Sequence, residues 1–332
     1  MNILITGATG FLGSRIIEHI IDLKEIKHIT ATGRKFSVDN KLINTKVDYI
    51  LGDLENVNFV KSLFKKDIDV VINCASLSSP WGSKKSFYNS NLLTQKNLLN
   101  ESLNASIRRF IYISTPSIYF NFKDSINIHE NSPLPKKMVN NYAKTKWNAE
   151  CLLRESKIPY VILRPRALIG RGDTVIMPRL IRSCLENKLK IMGNGKNIVD
   201  LTSVSNMAEA VSLSIFTENF NESYNISNDD PVNLWESINA ILEAINIPKI
   251  KKKIPYSTLY FAAQLMEFKA RLSPGKEPVL TKYSVGVLAK SFTFNIEKAK
   301  TKLNYYPKQT TSESIEEFVQ WYKKKNNDKS KI

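Results

Sequence analysis

The chain has 332 residues, which is enough for one large α/β domain and a smaller second one. Its hydrophobic content of 42% and charged content of 24% are typical of an ordinary globular protein. A net charge of +17 would suit a nucleic-acid partner, but the basic residues are spread along the chain and form no aromatic-interleaved module, so we expect no dedicated nucleic-acid site.

The N-terminus and the reactive residue types exclude several classes of protein. The three cysteines fit no CxxC or metal-ligand spacing and the three histidines are scattered, so neither a metal site nor a His-based triad is expected. The chain enters a predicted strand at once, without the pattern of a signal peptide. No segment reaches the roughly 18 consecutive apolar residues of a membrane-spanning helix. We expect a cytoplasmic protein, at most peripheral to a membrane.

The first motif is a glycine-rich turn between the apolar run at residues 2–6 and a predicted helix at residues 14–21. Its GxxGxxG spacing in this strand–helix context predicts a dinucleotide site. The first glycine permits the tight turn, the second lets the backbone approach a pyrophosphate, and the third lets the helix pack closely on the strand. The predicted nucleotide contacts in this turn are Gly7, Thr9, Gly10, Phe11, Leu12 and Gly13.

The end of the second predicted strand, residues 28–31, bears on the choice of cofactor. Sites that prefer NAD commonly place an acid about 20 residues past the glycines. Here Gly33 occupies that position, and Arg34 and Lys35 follow it. Two cations favour a 2′-phosphate, so we predict NADP over NAD. The alternative is that Arg34 merely stacks on adenine and that cofactor selectivity is loose.

Helical segments alternate with the next strands, which predicts a doubly wound parallel sheet of the Rossmann type in an α/β protein. These strands are predicted at residues 47–51, 69–73, 109–114 and 159–163. Open sheets of this kind bind ligands at the carboxyl ends of their strands. The candidates at those ends are Asp53 and Leu54 for the adenine, and Cys74, Ala75 and Ser76 beside the rest of the cofactor.

A predicted helix over residues 140–153 carries Tyr142 and Lys146 one turn apart on the same face. The pair fits a solvated face, a core tyrosine beside a surface lysine, or a proton-transfer pair. A phenol has a pKa near 10, and an adjacent ammonium lowers it. The glycine-rich turn upstream favours the proton-transfer interpretation.

These motifs together resemble the extended short-chain dehydrogenase/reductase superfamily over nearly the whole chain. The resemblance rests on the glycine turn, the Ser-Thr-Pro-Ser at residues 114–117 and the YxxxK helix. Within the superfamily, the Trp-Gly-Ser at 81–83, the segment 164–173 and the segments 281–285 and 303–307 are most similar to the 3β-hydroxysteroid dehydrogenase branch. That branch includes sterol-4-carboxylate 3-dehydrogenases and reductases of 2-alkyl-3-oxo fatty acids.

The resemblance implies a role for each matching residue. Tyr142 would be the acid/base, and Lys146 would lower its pKa and bind the nicotinamide ribose. Thr115 would hold the substrate oxygen, with Ser117 the alternative if the register differs by two. Asn91 matches a structural asparagine, although Thr94-Gln95 replaces the Gly-Thr usual after it. The residues implied to lie against the nicotinamide carboxamide are Pro165, Ala167 and Leu168.

We predict an NAD(P)-binding domain over residues 1–165, completed by parts of 198–228, a mainly substrate-binding α/β domain over 166–325, and a polar tail over 326–332. The apolar segment 257–272 could be a lid, a membrane-surface helix or a core helix. The family suggests a possible homodimer.

The predicted activity is NAD(P)-dependent interconversion of a secondary alcohol and a ketone. Apolar pocket candidates suit a lipid-like small molecule, either a sterol or a 3-oxo/3-hydroxy fatty acid, and three arginines could bind an anionic group on it. These candidates are Trp81, Met177, Leu180, Phe261 and Met266, and Arg166, Arg171 and Arg179. The alternatives are a nucleotide-sugar epimerase or dehydratase with bound NAD and, from another class, a non-catalytic dinucleotide sensor.

Overall fold

A computed structural model of the protein describes residues 1–36, 42–272 and 277–329, with side chains described as far as residue 326. The strands in chain order are β1 (Asn2–Thr6), β2 (His28–Gly33), β3 (Val47–Leu51), β4 (Val70–Asn73), β5 (Arg109–Ile113), β6 (Ser125–Ile128), β7 (Tyr160–Pro165), β8 (Leu168–Ile169), β9 (Ile191–Met192), β10 (Ile198–Val199), β11 (Thr202–Ser203), β12 (Glu222–Ile226), β13 (Val232–Asn233), β14 (Lys253–Ile254) and β15 (Phe292–Phe294).

The helices in chain order are α1 (Phe11–Ile20), α2 (Val57–Leu63), α3 (Lys84–Phe87), α4 (Thr94–Asn104), α5 (Asn141–Glu155), α6 (Met177–Leu185), α7 (Val204–Phe216), α8 (Leu234–Ala244), α9 (Tyr256–Leu272), α10 (Lys282–Ala289), α11 (Glu297–Leu303) and α12 (Thr311–Lys329). A π-helical turn (Tyr88–Leu93) joins α3 to α4, and a 3₁₀ turn (Pro116–Tyr119) follows β5.

Seven parallel strands form the central sheet in the order β12-β7-β5-β4-β1-β2-β3. The central strands are buried on both faces, which explains their continuous apolar runs; Ile3, Leu4 and Ile5 of β1 are fully buried. Strand order reverses between β1 and β4, which makes their carboxyl ends a topological switch point. The predicted doubly wound parallel sheet is confirmed.

A second, smaller unit has its own core and a four-stranded sheet, β13-β10-β15-β6. Its core includes Trp235 on α8 and Phe318 on α12. The chain passes between the units more than once. β6 precedes α5 in sequence yet pairs with β15, whereas Ala299 and Leu303 of α11 pack into the core of the seven-stranded sheet. The domain boundary near residue 165 stays a prediction.

One long helix differs from its predicted form, and a second segment with open alternatives is helical. The single helix expected over residues 84–103 is divided into α3, the π-helical turn and α4. The segment 257–272 forms α9, in which Leu259 and Ala263 are buried while Phe261 and Phe268 on the other side are each 62% exposed. Among the helices of the described residues, none is long and apolar enough to span a bilayer.

Candidate active site

A cavity of about 1010 Å³ lies at the carboxyl ends of the central strands, between the two units. Its walls come from the β1–α1 turn, from the segments after β2, β3, β4, β5 and β7, and from α6, α8 and α10. Nearly all the predicted site residues line it together. They are Gly7, Thr9, Gly10, Phe11, Leu12, Gly13, Arg34, Lys35, Asp53, Leu54, Cys74, Ala75, Ser76, Thr115, Ser117, Tyr142, Lys146, Pro165, Arg166, Ala167, Leu168, Met177 and Arg179.

The glycine turn has the geometry that a pyrophosphate requires. Gly7 adopts a positive φ of +64°, and a Cβ on Gly13 would lie 2.3 Å from the Gly7 carbonyl oxygen. Gly10 is the N-cap of α1 and provides no side-chain acceptor, so the first-turn N–H groups stay available to an anion in the cavity. A Cβ on Gly10 would meet only the Gly7 oxygen, at 3.2 Å, which leaves the side of the turn open for a ligand.

The segments after β2 and β3 form the far end of the cavity. Arg34 and Lys35 are exposed and line it directly after β2. The Gly52 N–H donates to the Gly33 carbonyl at 3.1 Å, which brings Asp53 and Leu54 beside them. Asp53 also accepts a hydrogen bond from the Glu55 N–H at 3.0 Å. Cations therefore flank the subsite where the fold would place an adenosine ribose.

Lys146 is almost completely buried beneath the cavity. The helix that carries it begins at the N-cap Asn140, whose side chain accepts from the Ala143 N–H at 2.8 Å. The Lys146 ammonium donates to the Ile113 carbonyl and lies 4.2 Å from the centre of the Tyr112 ring. Burial lowers the pKa of Lys146 to about 7, although the Glu150 carboxylate opposes the shift.

Tyr142 also lines the cavity, but its acidity differs from the expectation. Burial raises the pKa of Tyr142, and hydrogen bonds with the side chains of Thr115 and Ser78 only partly offset this effect. The lowering of this pKa by Lys146 stays a prediction, because in the structure the pKa of Tyr142 lies above its ordinary value. The reason is that the lysine is itself desolvated and its ammonium is directed at a backbone carbonyl.

The two candidate hydroxyls after β5 have different neighbours. Thr115 caps the 3₁₀ turn, accepting from the Ser117 N–H at 3.2 Å, and it interacts with Tyr142. Ser117 contacts Tyr283 of α10, with the two hydroxyl oxygens 2.7 Å apart. Thr115 is thus the better placed partner for a substrate oxygen at Tyr142.

Sequence reasoning missed Ser78 and assigned no role to Tyr283, yet both line the cavity. Ser78 lies in the small-residue run after β4, which predicted cofactor contacts only as far as Ser76. Tyr283 lies in a segment that we used only as evidence of family resemblance. Extending the small-residue run by two positions would have found Ser78, but no local pattern could have found Tyr283, since Ser117 and Tyr283 are 166 residues apart in the chain.

Asn91 acts on the site from outside the cavity. Its side-chain oxygen accepts from the Leu77 N–H at 2.7 Å and from the Ser76 hydroxyl at 3.1 Å, and its amide donates to Thr145 at 3.1 Å. It therefore ties the loop after β4 to α5 rather than lining the cavity. Thr94-Gln95, which replaces the usual Gly-Thr, also contributes a contact here: Gln95 is buried and accepts from the Asn73 amide at 2.6 Å.

The substrate end of the cavity has an apolar wall. Its lining residues are Met177, Leu180, Leu234, Ile238, Ile241, Val287 and Leu288. Trp81, Phe261 and Met266 are absent from the cavity wall, which corrects their proposed contact with substrate; Trp81 lies in the loop before α3, and the other two lie on α9.

The three candidate arginines differ in their partners. Arg179 pairs with Glu277 at 2.6 Å, and Arg171 pairs with Glu18 at 2.5 Å outside the cavity lining. Arg166 lines the cavity and, within the described part of the chain, forms no ion pair with a carboxylate. Burial lowers its pKa, and this is partly offset by Tyr283 and Asp200.

The parallel sheet, the glycine turn at its switch point and the tyrosine–lysine pair beside the cavity define a dinucleotide-binding protein of the Rossmann type. Residues 3–227 match the NAD dependent epimerase/dehydratase family. The chain belongs to this family, and it is an NAD(P)-dependent enzyme of the extended short-chain dehydrogenase/reductase superfamily that acts on CH–OH groups.

Two similar proteins of named activity match along most of their length. A 2-alkyl-3-oxoalkanoate reductase of Shewanella oneidensis is 28% identical, with 91% of this chain and 81% of that protein covered. A decarboxylating sterol-4-alpha-carboxylate 3-dehydrogenase of Mus musculus is 27% identical, with 98% of this chain and 92% of that protein covered. Among solved structures, UDP-glucose 4-epimerase of Thermotoga maritima superposes with a TM-score of 0.77 at 20% identity, covering 98% of this chain and 100% of that one, which supports the fold.

Proposed function

We propose that this enzyme interconverts a secondary alcohol and a ketone on a bulky, apolar substrate of the sterol or 3-oxo/3-hydroxy fatty acid type. One observation carries the proposal: Tyr142, its hydrogen-bond partner Thr115 and Lys146 line one cavity, and the substrate end of that cavity has an apolar wall. The names of the two similar proteins support this substrate class. Arg34 and Lys35 support NADP over NAD as the cofactor.

The nicotinamide cofactor, when bound, supplies the hydride chemistry. In the reductive direction Tyr142 donates its proton to the substrate carbonyl oxygen, and Thr115 holds the same oxygen. Charge that develops on this oxygen then meets two donors already in place. The buried Lys146 favours a transient Tyr142 phenolate whenever its ammonium is protonated. The apolar wall excludes water from the reacting carbon and orients the substrate.

Replacement of Tyr142 by Phe tests the central role. Turnover should fall by about 10²- to 10⁴-fold, the usual contribution of a positioned proton donor, while dinucleotide affinity stays close to that of the wild type. Steady-state kinetics and a dinucleotide titration would measure the two quantities. Tyr256→Phe is the matched control, because Tyr256 lies outside the cavity lining. Near-normal turnover in the Tyr142 variant would contradict the proposed mechanism.

A substrate screen separates this function from its rivals. Stoichiometric consumption of NADPH with a sterol ketone or a 3-oxo fatty acid would support the proposal. Turnover of a UDP-sugar, with NAD retained by the purified protein, would instead assign an epimerase or dehydratase. Dinucleotide binding without turnover of any of these would indicate a sensor.

A further inference from the structure

Four hydroxyl groups link Tyr142 to the opposite side of the cavity. The Tyr142 hydroxyl interacts with Thr115, and the Thr115 hydroxyl donates to the Ser117 hydroxyl at 3.0 Å. Ser117 and Tyr283 are 2.7 Å apart through their oxygens. The chain of hydroxyls therefore runs from the nucleotide-binding unit into α10 of the smaller unit. The mechanism above uses only its first two members.

The middle of this chain is held rigidly. Thr115 and Ser117 are only 6% and 5% exposed, and the 3₁₀ turn fixes them relative to each other. Hydroxyls buried in this way keep their hydrogen-bond partners, since an unpaired buried donor is costly.

The far end of the chain is packed as tightly. The Tyr283 ring packs edge-on against Phe120, with their centroids 6.0 Å apart. Thr281 and Ser284 form a capping box that secures the start of α10. Gly286 lets α10 approach Phe120 closely, because a Cβ there would lie 2.9 Å from the ring. The Tyr283 hydroxyl is thus positioned by its element rather than by rotation of a free surface side chain.

We propose that Tyr283 is a proton-relay residue that restores the proton of Tyr142 through Ser117 and Thr115. This proposal rests on the proposed function. The relay runs from Tyr142 through the buried Thr115 and Ser117 to Tyr283, which is only partly buried.

The relay moves one proton in total, and no hydroxyl gains or loses a proton overall. After Tyr142 has protonated the substrate oxygen, Thr115 gives its proton to the Tyr142 oxygen. In the same concerted step Ser117 gives its proton to Thr115 and Tyr283 gives its proton to Ser117, after the Ser117 and Thr115 hydroxyls have rotated from the resting arrangement in which Thr115 donates to Ser117. Each hydroxyl breaks one O–H bond and forms another, and Tyr283 takes a proton from water. Oxidation of the alcohol runs the same steps backwards.

The test uses Tyr283→Phe, which removes the relay hydroxyl and keeps the ring that packs against Phe120. We expect kcat to fall on the order of tenfold, below the full effect of losing a proton donor, with KM and dinucleotide affinity unchanged. A small buffer acid such as imidazolium should restore part of the lost turnover, because it can deliver the proton directly. Tyr256→Phe, treated identically, should show neither effect.

A double-mutant cycle distinguishes the relay from a merely structural contact. Ser117→Ala and Tyr283→Phe interrupt the same path, so the double variant should be no slower than the slower single variant. Additive losses without buffer rescue would overturn the relay.

Ser78→Ala tests the alternative that the proton reaches Tyr142 through Ser78, because Ser78 is exposed and also interacts with Tyr142. If that variant lost turnover while Tyr283→Phe kept it, Tyr283 would have no role. Normal turnover in Tyr283→Phe with strong loss in Tyr142→Phe would contradict the relay but not the proposed function. Normal turnover in both variants would contradict the proposed function as well.

Discussion

Lys146 lies one helical turn from Tyr142, yet its ammonium is directed at the Ile113 carbonyl and at the Tyr112 ring. Burial has the largest effect on the pKa values of both Tyr142 and Lys146, because it disfavours the charged form of each side chain. The pKa of Tyr142 is therefore raised, and that of Lys146 is lowered to about 7. Spacing along a helix brought the two groups together without determining their charge.

Arg34 offers a test of cofactor choice. Arg34→Ala should weaken NADPH binding by about 10- to 100-fold, the usual effect of losing a hydrogen bond to a charged group, and should change NADH binding far less. Paired titrations with the two cofactors would measure this. Arg182→Ala is a suitable control, because Arg182 is an exposed arginine of α6 outside the cavity lining. Equal losses for both cofactors would argue that Arg34 does not contact a 2′-phosphate.

At the scale of elements, the π-helical turn between α3 and α4 explains how Asn91 reaches the loop after β4. A π turn inserts a residue into the helical repeat and so rotates the side chains that follow it. Asn91 is 3% exposed and bridges that loop to α5. Apolar periodicity alone predicted one continuous helix. The π turn could not be predicted from it, because the turn is associated with a contact between Asn91 and the distant loop after β4.

Two matched glycine variants of the β1–α1 turn can separate the effect on packing from the effect on ligand binding. Gly13→Ala should destabilise the protein by about 1–3 kcal/mol, because the new Cβ would press on backbone atoms of Gly7 and Ala8. Gly10→Ala should lose less stability than Gly13→Ala but weaken dinucleotide binding, since its Cβ meets only the Gly7 oxygen, at 3.2 Å, and obstructs the pyrophosphate path. Thermal unfolding and dinucleotide titration measure the two effects. Similar behaviour of the two variants in both assays would contradict this assignment.

Across the whole molecule, a buried charge network joins the central sheet to α5, the helix that carries Tyr142 and Lys146. Glu150 of α5 is fully buried and pairs with Arg164 of β7 at 2.6 Å and with Arg154 at 2.8 Å. It also accepts from the Ser114 hydroxyl at the end of β5. Burial alone would raise the pKa of Glu150, but Arg164 and its other partners outweigh burial and lower it.

Removal of this carboxylate should leave two arginines without their partner. We expect Glu150→Gln to lose about 3–5 kcal/mol of unfolding free energy at neutral pH. The folded-state pKa of Glu150 lies below its ordinary 4.5, so its contribution is complete above that pH and is lost as the pH falls through the lower value. The difference between wild type and variant should therefore narrow below pH 4.5. Denaturant unfolding at a series of pH values measures it; a constant difference would show that folding does not lower the pKa of Glu150.

Local sequence patterns were sufficient to predict the doubly wound sheet and the glycine turn, and to place Tyr142 and Lys146 one turn apart on one helix. Each of these depends on residues close together in the chain: apolar runs, three glycines between a strand and a helix, and a spacing of four on one helical face. Only the tertiary structure decided that Ser78 and Tyr283 join the site, that Arg166 lacks an ion pair within the described residues, and that burial raises the pKa of Tyr142. Those features depend on contacts between distant segments and on exclusion of water, which no local pattern encodes.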